Sequence, residues 1–343
     1  MTEQEDRTLD SSGHDLAALN HIWTLHAAPS PDSSSRKLPI TSPSRFAESI
    51  PTIEKSPSTS AEKTILYLAY GSNLSAETFK GNRGIRPLSA VNVHVPSLDL
   101  TFDLPGIPYQ EPCFANTRYR KTPPSKNDYH KDRWHKGLIG VVYEVTPEDY
   151  RTIIATEGGG ASYQDVIVPC YVIPPGTKNV DPQPSGAPFE AHTLLDDNSG
   201  GRRILRPDRS YAQASARYLK LITDGAEEHE LPAEYLAYLY NIRPYTITTY
   251  SQRVGQVLFL AFWAPFLLFL FGMARSTADD EGKIPKWLVK IQGAVFRALW
   301  ASYDTVYKNA FGDGERTMGE EDDEEAVIQT PWREKGILLD EAS

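Results

Sequence analysis

A short run of small and polar residues near position 70 has the composition of an anion-binding turn. The apolar stretch Thr64–Leu68 continues into Ala69-Tyr70-Gly71-Ser72-Asn73-Leu74. A strand that ends in Gly-Ser-Asn presents successive backbone N–H groups, as a small anion or carboxylate requires. Gly71 permits close backbone approach, and Ser72 and Asn73 add short polar side chains. The pattern predicts a carboxylate-binding turn, and an ordinary capped turn is the alternative.

A single glutamate about ninety residues later is the candidate proton carrier. Gly137–Val145 has the apolar pattern of a buried strand, and Thr146–Tyr150 has the cap, proline and acids that open a helix. The helix should end at Glu157, where three glycines leave space around the carboxylate and Tyr163 follows as a phenolic partner. An acid at a helix C-terminus opposes the helix dipole, at a cost of roughly 0.3–1 kcal/mol. Glu157 is therefore a candidate acid–base residue, and a solvated carboxylate is the alternative.

Taken together and in order, these motifs resemble the γ-glutamylcyclotransferases. The resemblance covers roughly residues 62–245. It rests on five segments: Tyr70–Leu74, Gly140–Tyr143, Glu157–Gly158, Phe189–Leu194, and the closing helices from Ser210 through Leu231-Pro232 to Tyr235.

The resemblance implies an α+β fold, with a twisted, mixed β-barrel-like core, peripheral helices and an active site at one mouth of the barrel. It assigns Glu157 as general acid and base, and it needs no metal or cofactor. The turn of Tyr70, Gly71, Ser72, Asn73 and Leu74 is expected to bind the γ-glutamyl group through main-chain atoms. Tyr163 is expected either to hydrogen-bond the substrate or Glu157, or to fill the barrel as an aromatic side chain.

The reaction that the resemblance implies makes sense of one carboxylate. The α-amino group of a γ-glutamyl compound can reach its own γ-carbonyl and close a five-membered ring, so no external nucleophile is required. The products are 5-oxoproline and a free amine, amino acid or peptide. Fungal relatives of this kind process glutathione-derived intermediates of sulfur-containing secondary metabolites. Two alternatives remain open: a non-catalytic carboxylate-binding scaffold, and a cyclotransferase for γ-glutamyl-amines.

A second strong pattern is the uncharged run Val254–Ala274, between Arg253 and Arg275. Its length matches the ~20 residues that span a bilayer core, and it lacks the polar face of a soluble helix. We expect it to be membrane-embedded. Because Pro265 near its middle would kink a helix, a re-entrant or hairpin-like insertion is possible in place of a simple span. A buried core helix is the alternative. The segment 284–310 has the spacing of an amphipathic interfacial helix. The catalytic domain is expected to face the cytosol.

The two ends of the chain are predicted to be disordered. Residues 1–61 are rich in Ser, Pro and charge, and residues 311–343 include six consecutive acids from Glu320 to Glu325. Those six acids account for much of the net charge of −10 over 343 residues. An acidic chain argues against nucleic-acid binding. The family pattern is interrupted by three long inserts at 118–136, 174–188 and 196–207.

Cysteine and histidine usage gives no metal or disulfide pattern. Cys113 and Cys170 fall in strand-like runs, where a buried free thiol is the default, and this fits a reducing compartment. The eight histidines show no ligand spacing typical of zinc. No phosphate-binding loop is present, because the three glycines after Glu157 lack the dinucleotide-binding spacing and context.

Overall fold

The computed structural model describes residues 38–47, 64–120, 134–156, 164–195, 206, 211–277 and 285–319. Glu157 and Tyr163 lie outside the described residues. The strands within these ranges are β1 (Ile65–Ala69), β2 (Ser89–Val95), β3 (Leu98–Ile107), β4 (Glu111–Tyr119), β5 (Leu138–Val145), β6 (Gln164–Val172) and β7 (Phe189–Leu195). The α-helices are α1 (Pro43–Phe46), α2 (Pro147–Thr156), α3 (Ala216–Glu228), α4 (Ala233–Asn241), α5 (Tyr250–Thr277), α6 (Lys286–Ser302) and α7 (Lys308–Phe311).

Five of the strands close into a barrel in the order β1-β5-β2-β6-β7. Strand β1 runs antiparallel to β5 and closes the barrel by pairing in parallel with β7. Strands β1 and β5 are buried along nearly their whole length, because helices cover the barrel and both strands are apolar on both faces. The predicted α+β class, with a mixed barrel and peripheral helices, is confirmed. Cys113 and Cys170 are free, buried thiols in β4 and β6, as expected.

Strands β3 and β4 form a separate two-stranded hairpin. Tyr109, at the tip of the hairpin, has a positive φ of 64°, which suits the tight turn between the strands. Its ring packs edge-on against Phe259 of α5 and against Tyr303. The hairpin therefore links the barrel to the C-terminal helices.

Side-chain caps fix the starts of the helices that flank the site. Thr146 Oγ1 accepts from the N–H of Asp149 at 3.1 Å, so α2 begins at the predicted cap. Ser215 Oγ accepts from the N–H of Tyr218 at 3.0 Å and caps α3. Helix α3 approaches the chain closely, since a Cβ at Gly225 would overlap the backbone of Leu74 and Ser75. Only glycine allows this contact between α3 and the turn after β1.

The C-terminal helices have a hydrophobic core of their own beside the barrel. Helix α5 buries one face against the hairpin tip and against α6; the shared cluster comprises Ile107, Tyr109, Phe259, Leu260, Trp263, Leu267, Leu299, Trp300 and Tyr303. Trp263 Nε1 donates to Ser302 Oγ at 3.0 Å across the two helices. The alternative of a fully buried core helix does not hold, because the opposite face of α5 is exposed.

Parts of both segments that were expected to be disordered pack on the barrel. Residues 38–47 lie against β2 through a bridge between Ile40 and Ala90, and Phe46 stacks on Phe189 with ring centroids 4.3 Å apart. Arg45 donates to Thr64 Oγ1 at 2.9 Å. Residues 311–319 also fold back, and Glu315 is buried there. The expectation of disorder is therefore wrong for these two stretches, and the remaining parts lie outside the described residues.

Candidate active site

The turn after β1 lies at the end of the strand, as the sequence predicts. Gly71 precedes a single 3₁₀ turn, Ser72–Leu74, and the N–H of Leu74 donates to the Gly71 carbonyl at 3.0 Å. The N–H groups of Ser72 and Asn73 stand at the start of this turn, where a helix offers no internal acceptor. Ser72 is half-buried, whereas its neighbours Gly71 and Asn73 are buried.

The side chains of the turn mostly hold it in place. The Tyr70 hydroxyl donates to the Leu194 carbonyl at 3.0 Å, which ties the turn to β7. Asn73 Nδ2 donates to the Tyr67 hydroxyl at 2.9 Å, and Leu74 is fully buried. Of the five residues, the backbone and Ser72 are therefore the parts best placed to meet a ligand.

A buried tyrosine and a half-buried histidine support the turn. The Tyr143 hydroxyl donates to the Leu74 carbonyl at 3.3 Å and lies 2.6 Å from His229 Nε2. Burial raises the pKa of Tyr143, so its phenol stays protonated and able to donate. Burial and then the charge of Lys80 lower the pKa of His229 to about 4, against a bond to the Leu74 carbonyl that raises it. His229 is therefore neutral at pH 7.

The β3–β4 hairpin packs against the other side of the turn. A Cβ at Gly71 would lie 3.3 Å from Ala115 Cβ and 3.4 Å from the Tyr218 hydroxyl, so a larger residue would press on both. The Tyr218 hydroxyl accepts from the N–H of Ala115 at 3.1 Å. Glu111 in the same hairpin accepts from Ser215 Oγ at 2.7 Å. Strand β4 and the start of α3 thus form one wall beside Gly71.

A second polar cluster adjoins the strand that leads into the turn. His192 Nδ1 lies 2.8 Å from Asp165 Oδ1, and the two residues are on β7 and β6. The His192 ring packs edge-on against Tyr150 of α2, at 5.4 Å between centroids. The ring centroid of Tyr150 lies 6.1 Å from that of Tyr67, whose hydroxyl accepts the hydrogen bond from Asn73. This cluster connects α2 to the turn.

The end of α2 is held next to the segment that follows the turn. Arg83 Nη1 donates to Thr156 Oγ1 at 2.6 Å, and Arg83 directly follows the π-helix Glu77–Asn82. Thr156 is the last residue before Glu157, so α2 carries the chain to the predicted catalytic residue from this position. The roles of Glu157 and Tyr163 stay predictions.

Sequence reasoning missed Tyr143 and His229 as supports of the turn, and Tyr218 as part of its wall. Tyr143 falls within a motif that carried the family resemblance, but a strand pattern does not show which hydroxyl it will meet. Tyr218 and His229 lie in the predicted closing helices, about 145–155 positions after the turn. Their roles follow from the close packing of α3 on Leu74, to which Gly225 is the only local clue.

The described parts of the inserts pack on the outside of the fold. Val180, from the insert 174–188, donates its N–H to Glu234 Oε2 at 2.8 Å at the start of α4. Trp134 packs edge-on against Tyr235 of α4, with centroids 5.1 Å apart. Arg206 binds Asp304 and Glu315 of the C-terminal segment. Residues 121–133, 196–205 and 207 lie outside the described residues.

Within the described ranges, no group of three or more His, Cys, Asp or Glu side chains is arranged to hold a metal ion. The one helix there that is long and apolar enough to cross a membrane is Tyr250–Ala274, with a mean hydropathy of 2.3.

Comparison with known proteins gives consistent relatives along most of the chain. A protein named gamma-glutamyl cyclotransferase gliK, from Aspergillus fumigatus, is 36% identical over 256 residues, covering 73% of this chain and 89% of the relative. Gamma-glutamyl cyclotransferase aclK, from Aspergillus oryzae, is 32% identical over 260 residues, covering 74% and 91%. Residues 249–309 match the family described as the AclK C-terminal domain.

The chain therefore belongs to the γ-glutamyl cyclotransferase family. The match to the AclK C-terminal domain covers α5, α6 and the first residues of α7. A solved structure named gamma-glutamyl cyclotransferase aligns with a TM-score of 0.39 and 21% identity, covering 54% of this chain and 92% of its own.

Proposed function

We propose that this protein is a γ-glutamyl cyclotransferase that releases 5-oxoproline from a γ-glutamyl amino acid, peptide or glutathione-derived conjugate, with Glu157 as the proton carrier. The observation that carries the proposal is the turn Tyr70–Leu74, held on several sides by buried bonds, in a chain of this family. A rigid turn of this kind keeps its main-chain donors in place without reorganisation during the reaction.

The proposed chemistry is an intramolecular aminolysis. Glu157 removes a proton from the substrate ammonium, and the freed α-amine attacks the γ-carbonyl carbon. A new C–N bond closes the five-membered ring, and the bond from that carbon to the leaving nitrogen breaks. Glu157 passes this proton to the leaving nitrogen as its bond breaks. The carboxylate then takes the second proton from the ring nitrogen, which becomes the neutral lactam N–H, and hands it to the released amine, so Glu157 ends as a carboxylate.

The turn supplies binding and orientation in this scheme. Main-chain N–H groups at Ser72 and Asn73 are suited to an anionic group of the γ-glutamyl moiety, and the Ser72 hydroxyl is accessible beside them. The Ala115–Tyr218 wall limits the space at Gly71, which favours a small, extended group over a bulky one. In the proposal the leaving amine points away from this wall.

We further propose that the enzyme works attached to a membrane, with the barrel on the cytosolic side. The support is the apolar helix α5, which lies in the stretch that matches the AclK C-terminal domain. The cytosol is reducing and rich in glutathione, which agrees with two free, buried cysteines and with the proposed substrates.

The decisive experiment uses the full-length chain and follows 5-oxoproline release from four kinds of substrate. These are γ-glutamyl-alanine, other γ-glutamyl amino acids, glutathione, and a γ-glutamyl-amine formed on the side chain of lysine. We expect turnover by the wild type, and a loss of roughly 10²–10⁴-fold in Glu157→Gln, because the amide keeps the shape of the side chain but cannot take up a proton and pass it on. Circular dichroism and thermal unfolding check that the variant is folded.

A matched control is Glu148→Gln, which changes an exposed glutamate in the first turn of α2. This variant should keep wild-type turnover. Full activity in Glu157→Gln would overturn the assignment of the residue. Absence of 5-oxoproline with every substrate would instead favour the non-catalytic carboxylate-binding scaffold. Product from the lysine γ-glutamyl-amine alone would favour the cyclotransferase for γ-glutamyl-amines.

A further inference from the structure

Helix α5 has two apolar faces, and only one of them is covered by protein. The covered face carries Phe259, Leu260, Trp263 and Leu267 and packs on α6 and the hairpin tip. The opposite side, which we call the outer face, is exposed and consists of Val257, Leu258, Phe262, Phe266, Leu268 and Phe269. A continuous exposed apolar face of this size on a folded protein marks an interaction surface.

The path of the chain after α6 brings both flanks of α5 to the same body. After α5 and α6, residues 312–317 return to the barrel side of the molecule. The Gly314 carbonyl accepts from the N–H of Tyr109 at 2.7 Å, and Thr317 Oγ1 accepts from the N–H of Thr246 at 3.0 Å. Both flanks of α5 thus contact the same body, and a single crossing would separate them.

The length of α5 gives the same answer. Its first turns are fixed to the tip of the β3–β4 hairpin, since Gln256 Nε2 donates to the Tyr109 carbonyl at 2.8 Å and Phe259 packs on the Tyr109 ring. The part after Leu260, which ends at Thr277, is about 25 Å long at 1.5 Å per residue. A bilayer core is about 30 Å thick, so this part is too short to span it.

Proline at position 265 limits how deep the outer face can go. Pro265 has no N–H, so the carbonyl of Ala261 loses its helical partner. Both residues are exposed, on the same side as the outer face. A carbonyl without a donor is costly in hydrocarbon but is satisfied by water or headgroups at the interface.

Basic charge on α6, the helix that follows α5, favours an anionic lipid surface. Helix α6 carries Lys286, Lys290 and Arg297, all exposed, and no acidic residue. Trp287 and Ile291 are exposed beside the two lysines. Amphipathic aromatic residues next to lysines are typical of the headgroup region of a membrane.

We infer that the outer face of α5 is a monotopic docking surface for an anionic lipid bilayer, lying in the interface with both flanks on one side. The inference rests on the proposed membrane attachment and decides between its possible forms.

The test is flotation of the full-length chain with sealed vesicles of phosphatidylcholine containing 30% phosphatidylserine, or none, at about 0.1 M salt. We expect the triple variant Phe262→Ser, Phe266→Ser, Phe269→Ser to lose at least tenfold in binding. Lys286→Gln with Lys290→Gln should lose roughly fivefold per lysine on the anionic vesicles only. The matched control is Leu88→Thr with Ile167→Thr, which changes exposed apolar residues of the barrel and should bind as wild type.

Topology and oligomeric state are measured on the same samples. Protease added outside the vesicles should reach epitopes at both ends of the chain, and a protected C-terminal epitope would overturn the inference in favour of a span. Unchanged vesicle binding by the triple variant would overturn it, as would a wild-type dimer that the triple variant dissociates. Glu157→Gln should float like wild type and the triple variant should keep its turnover, so failure here and failure of the proposed chemistry are distinguishable.

Discussion

His229 shows how a single half-buried side chain is linked to the turn. Its ring lies next to the Tyr143 hydroxyl, which donates to the carbonyl of Leu74. The folded protein holds this histidine neutral, since burial lowers its pKa from 6.5 to about 4. A charged ring there would lie in a site built for an uncharged one.

This shift predicts a pH dependence of stability. Between pH 6.5 and 4 the unfolded chain binds a proton at His229 and the folded chain does not, so stability falls as pH falls through this window. The loss attributable to His229 is about 3 kcal/mol at most. Urea unfolding at pH 7, 5.5 and 4 measures it.

The control is His229→Gln, whose amide can still donate to Tyr143 but does not titrate. We expect a difference between wild type and variant that grows as pH falls; a constant difference would contradict the assigned pKa. Burial raises the pKa of Glu315, which works in the opposite direction, and the difference between the two proteins removes this contribution.

The residues that could be recognised from sequence are those whose chemistry is local. Gly71, Ser72 and Asn73 predict a turn, because a turn depends on only a few adjacent residue types. The support from His229 and the wall from Tyr218 depend on helix α3 packing against Leu74, and no local pattern encodes which distant hydroxyl or ring will arrive there. Glu157 and Tyr163 remain predictions of the family pattern.

At the scale of elements, the contact of α3 with the turn depends on one missing side chain. Gly225 → Ala would place a methyl group against the backbone of Leu74 and Ser75, which cannot move aside as a flexible side chain would. We expect a loss of about 3 kcal/mol in the free energy of unfolding, and lower turnover because the turn shifts. Thermal unfolding and 5-oxoproline release measure the two effects.

Gly272→Ala in α5 is the matched control. A Cβ at Gly272 meets nothing within 4 Å, and alanine favours a helix by about 1 kcal/mol over glycine. This variant should be as stable as wild type or slightly more so. Equal destabilisation by both substitutions would show that the close approach of α3 is not the cause.

Elements were easier to predict than their partners. The apolar runs at β1 and β5 and the capped start of α2 are each strong local signals, and each forms where expected. The two-sided character of α5 was not predictable, because every residue of the run is uncharged and either face is suited to lipid. Which face packs on Tyr109 and α6 is decided by residues far away in the chain.

At the scale of the whole molecule, Arg206 of the third insert binds the C-terminal segment. Its guanidinium donates to Asp304 at 2.7 Å and to Glu315 at 2.5 Å. The guanidinium carbon Cζ lies 4.2 Å from the centroid of the Trp300 ring. Glu315 has a side chain only 2% exposed. A buried carboxylate of this kind requires its cation.

Arg206→Met should therefore destabilise the protein by about 3 kcal/mol at pH 7, because Glu315 remains buried with only the more distant Lys308 near it. Adding Glu315→Gln should recover much of the loss, which chemical unfolding of the single and double variants measures. Lys220→Met, which breaks an exposed ion pair with Asp224, should change little. No recovery in the double variant would show that packing on Trp300 dominates.

The stretches 38–47 and 311–319 were predicted to be disordered because their composition is polar and rich in proline or charge. Composition describes a segment's own capacity to form a core, but both stretches add a few residues to a core that already exists. Phe46 reaches Phe189, and Glu315 reaches Arg206, through contacts that the average hydropathy of a window does not register.

The contacts of Tyr109 at the hairpin tip limit where this protein can be truncated. Its ring sits among aromatic residues of the last third of the chain, and its carbonyl and N–H are both bonded there. A shortened version ending near residue 245 would leave that ring and its polar backbone bare, inviting aggregation. The helices are thus a fixed half of one body, and soluble material is better sought by making the outer face polar than by cutting the chain.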